Sequence, residues 1–240
     1  MMKTVFFALS AAYFVLCAIP VFAETLSPQE EYKQCSSQFP NEQNGGIASS
    51  QKYATAITAC LQNKIQTRLN KLLGKEKGLN ISNRLTDLQQ SILNFYGMFT
   101  ETNRYTDYGG NLALYANIRG VNKYLKALFF RLSDTPADYN DSYKEYAEKN
   151  SDIISLCQNQ TPTSQQQCIV QNIKQEIEKG FRNKDIEKGL NLFNSIYEED
   201  TKLYYDIYPH NPNKASAAVT EDLEYILQRL IFLNLTQEGY

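Results

Sequence analysis

The chain reads as an all-α protein, a disulfide-stapled helical bundle of two similar halves, on three observations. Apolar residues recur three and four positions apart along nearly its whole length after residue 23. No stretch alternates with period two or frames a hairpin turn. Two segments repeat one another at a constant offset, described below.

Residues 1–23 predict a cleavable secretory signal: Lys3, an apolar run from Val5 to Ile19, and the small-residue end Val21-Phe22-Ala23. The run ends before Pro20, short of the roughly 20 residues that cross a bilayer. Cleavage would remove Cys17 and leave Cys35, Cys60, Cys157 and Cys168, an even set suited to an oxidising compartment. No later stretch has the length and apolarity of an integral membrane span, so the mature chain is expected to be soluble, in the periplasm or secreted.

The first helix is marked by Tyr53, Ile57, Cys60, Leu61, Ile65, Leu69 and Leu72, with Ser49 or Ser50 to start it and Gly74 to end it. After a polar start at residues 80–83, a second carries Leu85, Leu88, Ile92, Phe95 and Phe99. The chain is expected to turn at Gly109-Gly110. A third helix holds Leu114, Ile118, Val121, Leu125, Leu128 and Leu132 and must stop before Pro136.

A further helix is expected around residues 143–156. Thr161 and Pro162 then read as N-cap and first helical residue of a run through Ile169, Ile173, Ile177 and Phe181. Another holds Ile186, Leu190, Phe193, Tyr197, Leu203 and Ile207, and Pro209 and Pro212 break it. The last carries Ala215, Ala218, Leu223, Ile226, Leu227, Leu230 and Leu233.

Residues 111–134 laid over 213–236 match at Asn111/Asn213, Ala113/Ala215, Ala116/Ala218, Leu125/Leu227, Leu128/Leu230 and Phe130/Phe232. The repeated unit would be a cysteine-bearing helix, a long helix, a turn and a helix, dividing the mature chain into halves at 24–136 and 137–240. That division favours Cys35 with Cys60 and Cys157 with Cys168. The two connectivities that cross the halves stay open, although short loops close more easily.

Chemistry-bearing patterns are sparse. The formal net charge is −2 and Lys and Arg are scattered, which gives no nucleic-acid footprint. His210 is the single histidine and falls in an expected turn. There is no Gly-x-Ser-x-Gly, phosphate loop or zinc motif, so no catalytic residue, metal or cofactor is expected, and an enzyme is not. The run Glu198-Glu199-Asp200 reads as a solvated helix face. Of the 17 tyrosines, Tyr105, Tyr108 and Tyr115 stand around the first expected turn, and Tyr197, Tyr204, Tyr205 and Tyr208 before the second. They suit either a protein-binding surface or helix packing with the hydroxyl at the rim.

The segment Gln160-Thr161-Pro162-Thr163-Ser164-Gln165-Gln166-Gln167-Cys168 after Cys157 resembles the cysteine-bounded, Thr/Gln-rich turn of the LprI-type lysozyme-inhibitor domain. Ala54-Thr55 before Cys60, Leu69-Asn70, Gly109-Gly110 and Phe130-Arg131-Leu132 follow the same family's order in the first half. The family's tryptophan has no counterpart in a chain without Trp, and Phe95 or Tyr96 stands near its place. Arg104, Tyr105 and Asp107 stand in a different order from the family's Tyr-Arg-Asp, and the second half has Pro209-His210-Asn211-Pro212 where the family has Gly-Gly.

The resemblance implies a protein partner, a lysozyme-type cell-wall hydrolase, whose cleft is occluded sterically by an inserted turn. Tyr105, Asp107, Tyr108, Gly109, Gly110 and Asn111 would form that turn. The other class compatible with the sequence is an envelope scaffold or immunity-type interaction module that inhibits no lysozyme.

Overall fold

Seven helices and no strand make up the described residues of the computed structural model, which are 26–37, 46–102, 110–133, 155, 157–158, 161–181 and 183–238. The expected signal, nearly all of the helix expected around 143–156, and the boundary at 136 lie outside them. The helices are α1 Pro28–Ser37, α2 Gly46–Leu73, α3 Lys75–Thr102, α4 Gly110–Arg131, α5 Pro162–Gly180, α6 Asn183–Ile207 and α7 Pro212–Glu238.

The helix α1 has no counterpart among the expected elements, because its apolar content is low and periodicity gives it little weight. Its start is nevertheless written in Ser27-Pro28-Gln29-Glu30. The Ser27 hydroxyl accepts from the Glu30 N–H at 3.3 Å, and the Glu30 carboxylate accepts from the Ser27 N–H at 2.8 Å. This reciprocal capping box satisfies donors that a helix start otherwise leaves open. The Ser27 hydroxyl also donates to the Glu30 carboxylate at 2.7 Å, and that bond, then the one from the Ser27 N–H, holds the Glu30 carboxyl below its ordinary range.

A polar stretch expected to separate α2 from α3 is helical except at Gly74. That residue takes φ +85°, a left-handed conformation costly for any residue with a Cβ. Its N–H donates to the Asn70 carbonyl at 3.1 Å, and its own carbonyl accepts from the Gly78 N–H at 2.8 Å. One residue therefore ends one helix and seeds the next. Pro212 likewise opens α7 where a break was expected, since the Asn211 side chain accepts from the Lys214 N–H at 3.0 Å and proline needs no donor in the first turn. Thr161 and Pro162 start α5 as expected.

Helices α2, α3 and α4 pack as one set and α5, α6 and α7 as another. Within the first, α2 lies along α4 in parallel, as the contacts Thr58 with Asn122 and Arg68 with Ser133 require. Within the second, α5 lies along α7 in parallel, through Gln166 with Thr220 and Glu176 with Asn234. The sets meet where α3 runs antiparallel to α6, Arg84 reaching Asp206 while Phe95 faces Phe193. A smaller contact joins α4 to α7. In each set the first and third helices pack most closely, but α3 lies mainly against α2 whereas α6 lies mainly against α7; α4 and α7 begin at Gly110 and Pro212, 102 positions apart.

One continuous core runs through both sets. Leu61, Ile65 and Leu69 of α2, Leu125 and Leu128 of α4, Ile169, Ile173 and Ile177 of α5, and Leu227 and Leu230 of α7 are fully buried. These are the stripes read from spacing. Leu72 and Leu114 are exceptions, 54% and 42% exposed, because each stands near a helix end, where neighbouring helices no longer cover the stripe.

Both disulfides close within a set, Cys35 with Cys60 and Cys157 with Cys168, each with Cα atoms 5.6 Å apart. The first fixes α1 onto α2, where Glu31 pairs with Arg68 at 3.1 Å and the Tyr32 ring lies 5.8 Å from that of Phe130. Replacing Cys35 and Cys60 by alanine is expected to cost about 3 kcal/mol, and the shorter Cys157–Cys168 loop slightly less, by the entropy of loop closure. Urea midpoints of the two double variants measure this; a loss below about 1 kcal/mol for both would refute it.

Candidate functional site

Two carboxylates stand inside the apolar face of their helices. Along α6 the buried positions run Phe193, Ile196, Asp200, Leu203 and Ile207, and along α7 they run Ala215, Val219, Asp222, Ile226 and Leu230. Asp200 is 5% exposed and Asp222 2%. The helical period thus carries both acids into the junction of α4, α6 and α7. The expectation that Glu198-Glu199-Asp200 forms a solvated face is corrected for Asp200. The sequence signal lay in its phase: three or four residues from each apolar neighbour, it falls on the stripe.

Each carboxylate has partners from another helix or set. The Tyr124 hydroxyl of α4 donates to Asp200 Oδ1 at 2.7 Å, and the Tyr204 hydroxyl donates to Asp222 Oδ2 at 2.7 Å. Arg131, the last residue of α4, donates from Nη1 to Asp222 Oδ1 at 2.7 Å and to the Tyr204 hydroxyl, and from Nε to Glu221 at 2.9 Å. The Tyr208 hydroxyl donates to the Arg131 carbonyl at 3.3 Å.

Burial, then the neighbouring Asp222, pushes the Asp200 carboxyl well above its ordinary range, while Tyr124 and Arg131 pull it back. Burial also raises Asp222, against the opposing pull of Arg131 and Tyr204. Burial raises the Tyr124 and Tyr204 phenols further, so both remain neutral donors. Asp200, Asp222, Tyr124 and Tyr204 are buried, while Arg131 reaches the surface at Glu221, and these groups act on one another.

A solvent-open groove lies on the other side of α6, against α3. Its volume is about 470 Å³, and Arg84, Asp87 and Ser91 face Ser195, Glu198, Glu199 and Lys202 across it. Arg84 bonds to Glu199 at 2.7 Å and to Asp206 at 2.5 Å. Burial lowers the affinity of its guanidinium for a proton, but Asp206 and Glu199 outweigh that and leave it raised. Glu199 is thereby held as an ion-pair partner, while Glu198 and Lys202 are exposed.

Of the residues expected to form a binding turn, Tyr105, Asp107, Tyr108 and Gly109 lie outside the described residues. Gly110 and Asn111 are the first two residues of α4. The tyrosines before the second turn divide. Tyr204 is wholly buried and Tyr208 nearly so, their rings stacked 6.4 Å apart, whereas Tyr205 is 44% exposed. Packing with the hydroxyl at the rim does not describe Tyr124 and Tyr204, whose hydroxyls are satisfied by aspartates in the interior. Among the described residues, no group of His, Cys, Asp and Glu is arranged to hold a metal ion, and no helix is long and apolar enough to cross a membrane.

No protein-family model matches the chain, and searches of curated proteins and of solved structures return no match.

Proposed function

We propose that this chain is an exported binding protein, periplasmic or secreted, that acts by contact with another protein and not by chemistry of its own. The observation that carries the reading is the pairing of Cys35 with Cys60 and Cys157 with Cys168 inside a helical body. Stable pairing of this kind belongs to oxidising compartments. The engagement of its interior acids with Tyr124, Tyr204 and Arg131 also supports it, because a carboxyl closed off from solvent cannot meet a substrate.

The resemblance to LprI-type domains names the first partner to test, a lysozyme-type cell-wall hydrolase occluded by residues 105–111. A lytic assay with several lysozymes, run with the wild type and with a Tyr105→Ala/Tyr108→Ala double variant, is expected to show inhibition by the wild type. The double variant should lose at least about tenfold in potency, as for two tyrosine anchors at the centre of an interface. Absence of inhibition, together with binding unchanged in the double variant, would remove the lysozyme reading. Affinity capture from the native envelope would then identify the partner of a scaffold or immunity-type module.

A further inference from the structure

Neither disulfide crosses between the two three-helix sets, so no disulfide ties their junction. At one end these are polar and buried: Tyr124 and Arg131 come from the first set, and Asp200, Tyr204 and Asp222 from the second. Two buried carboxyls thus share one guanidinium, whose side chain is 13% exposed. Glu221, the other acid on Arg131, has a side chain 57% exposed and is screened by solvent.

Charge balance follows directly. With one of the two carboxyls protonated, the buried group is neutral against Arg131; with both ionised, it carries an uncompensated negative charge, which a low-dielectric interior strongly disfavours. Of the other cations on α4 and α7, Lys123 stands one residue and about 100° of helical turn before Tyr124, Lys214 lies over the Tyr208 ring and Arg229 over the Tyr96 ring. On α3, Arg84 is occupied by Glu199 and Asp206. On α5, Glu176 is bound by Lys179 and by Asn234 of α7, and on α7 Glu224 accepts from Gln165.

We propose that the contacts Tyr124–Asp200 and Tyr204–Asp222–Arg131 form a proton-dependent latch between the two sets, closed while the carboxyl pair carries one negative charge and loosened when it carries two. Asp200 is the member that holds the proton, since Arg131 bonds to Asp222 and not to Asp200, and this outweighs the favour the Tyr124 hydroxyl gives its charged form. Burial and the charge on Asp222 act in the same direction, raising its affinity for the proton above that of an ordinary aspartate. The folded chain then keeps a proton that the unfolded chain releases near about pH 4. Its contribution is fully present below that pH and is lost as pH rises through the raised value of the folded state. Loosening parts α4 from α6 and α7, while α3 stays packed against α6.

The test is the urea midpoint of the full oxidised chain from about pH 5 to about pH 9, with native-state hydrogen exchange at each pH corrected for intrinsic rates. The wild-type midpoint is expected to fall steadily with rising pH, and protection in α4 and α7 to fall with it. Asp200→Asn, which mimics the protonated acid, should flatten the slope and match or exceed the wild-type midpoint at the alkaline end. A wild-type midpoint independent of pH in this range, or an Asp200→Asn slope equal to that of the wild type, overturns the latch. If that variant fails to fold, infrared spectra of the wild type decide the matter. A protonated-carboxyl carbonyl band that persists at neutral pH and is lost toward alkaline pH supports the latch; its absence at neutral pH overturns it.

Discussion

Replacing Arg131 by alanine is expected to destabilise the folded chain by about 3–5 kcal/mol at neutral pH, the range for removing one partner of a buried ion pair. The Arg131 side chain is 13% exposed and that of Asp222 3%, so solvent screens this pair little. Loss of the guanidinium leaves Asp222 with the Tyr204 hydroxyl as its one remaining bonded partner and no cation beside it. Part of the deficit should be regained in acid. Without Arg131, the folded-state affinity of Asp222 for a proton, already raised by burial, rises further, and stability then increases more steeply as pH falls.

Arg84→Ala is the control. That side chain also bridges the two sets, but it and its partners Glu199 and Asp206 are 28%, 34% and 49% exposed. Pairs this open to water contribute about 1 kcal/mol or less. Urea unfolding of both variants at neutral and acidic pH compares them. Equal losses would mean that the junction of α4, α6 and α7 is wetter than its burial indicates.

Phe95→Ala carries the other large effect, a loss of about 3–5 kcal/mol. Phe95 is 1% exposed, with its ring 6.2 Å from that of Phe181, 6.4 Å from that of Phe193 and 5.8 Å from that of Tyr96. It lies where α3 meets α6, so truncation opens a cavity between the sets and not within one. Rings on both sides are held by their own backbones and can close only part of that space. Hydrogen exchange should quicken in α3 and α6 together, and a loss below about 1 kcal/mol would show that the aromatic cluster does not join them.

Local information was legible in the chain as written. The class is all-α because apolar residues every three or four positions make stripes that only helices can bury, and those stripes are buried from Leu61 to Leu230. The start of α5 was legible in Thr161-Pro162, a cap that needs only its own neighbours. Cysteine pairing within each half was favoured by the repeat of a cysteine-bearing helix and left open against two crossed forms, and both bonds close short loops. The ends at Gly74 and before Pro209 were legible, whereas α3 starts earlier than its polar opening suggested, since one left-handed residue suffices for the break.

Tertiary structure alone decided which charges are buried and whom they meet. Glu199 and Asp200 are neighbours in sequence, yet a rotation of about 100° along α6 sends one to Arg84 in an open groove and the other to Tyr124 in the interior. The periodicity of α6 placed Asp200 on the apolar stripe, but nothing within that helix specified the hydroxyl waiting there. Tyr124 is 76 residues away and Arg131 is 91 residues from Asp222, so their meeting depends on how α4 packs across both α6 and α7. Hydrophobic spacing is written residue by residue, whereas the compensation of a buried charge exists only once distant helices have come together.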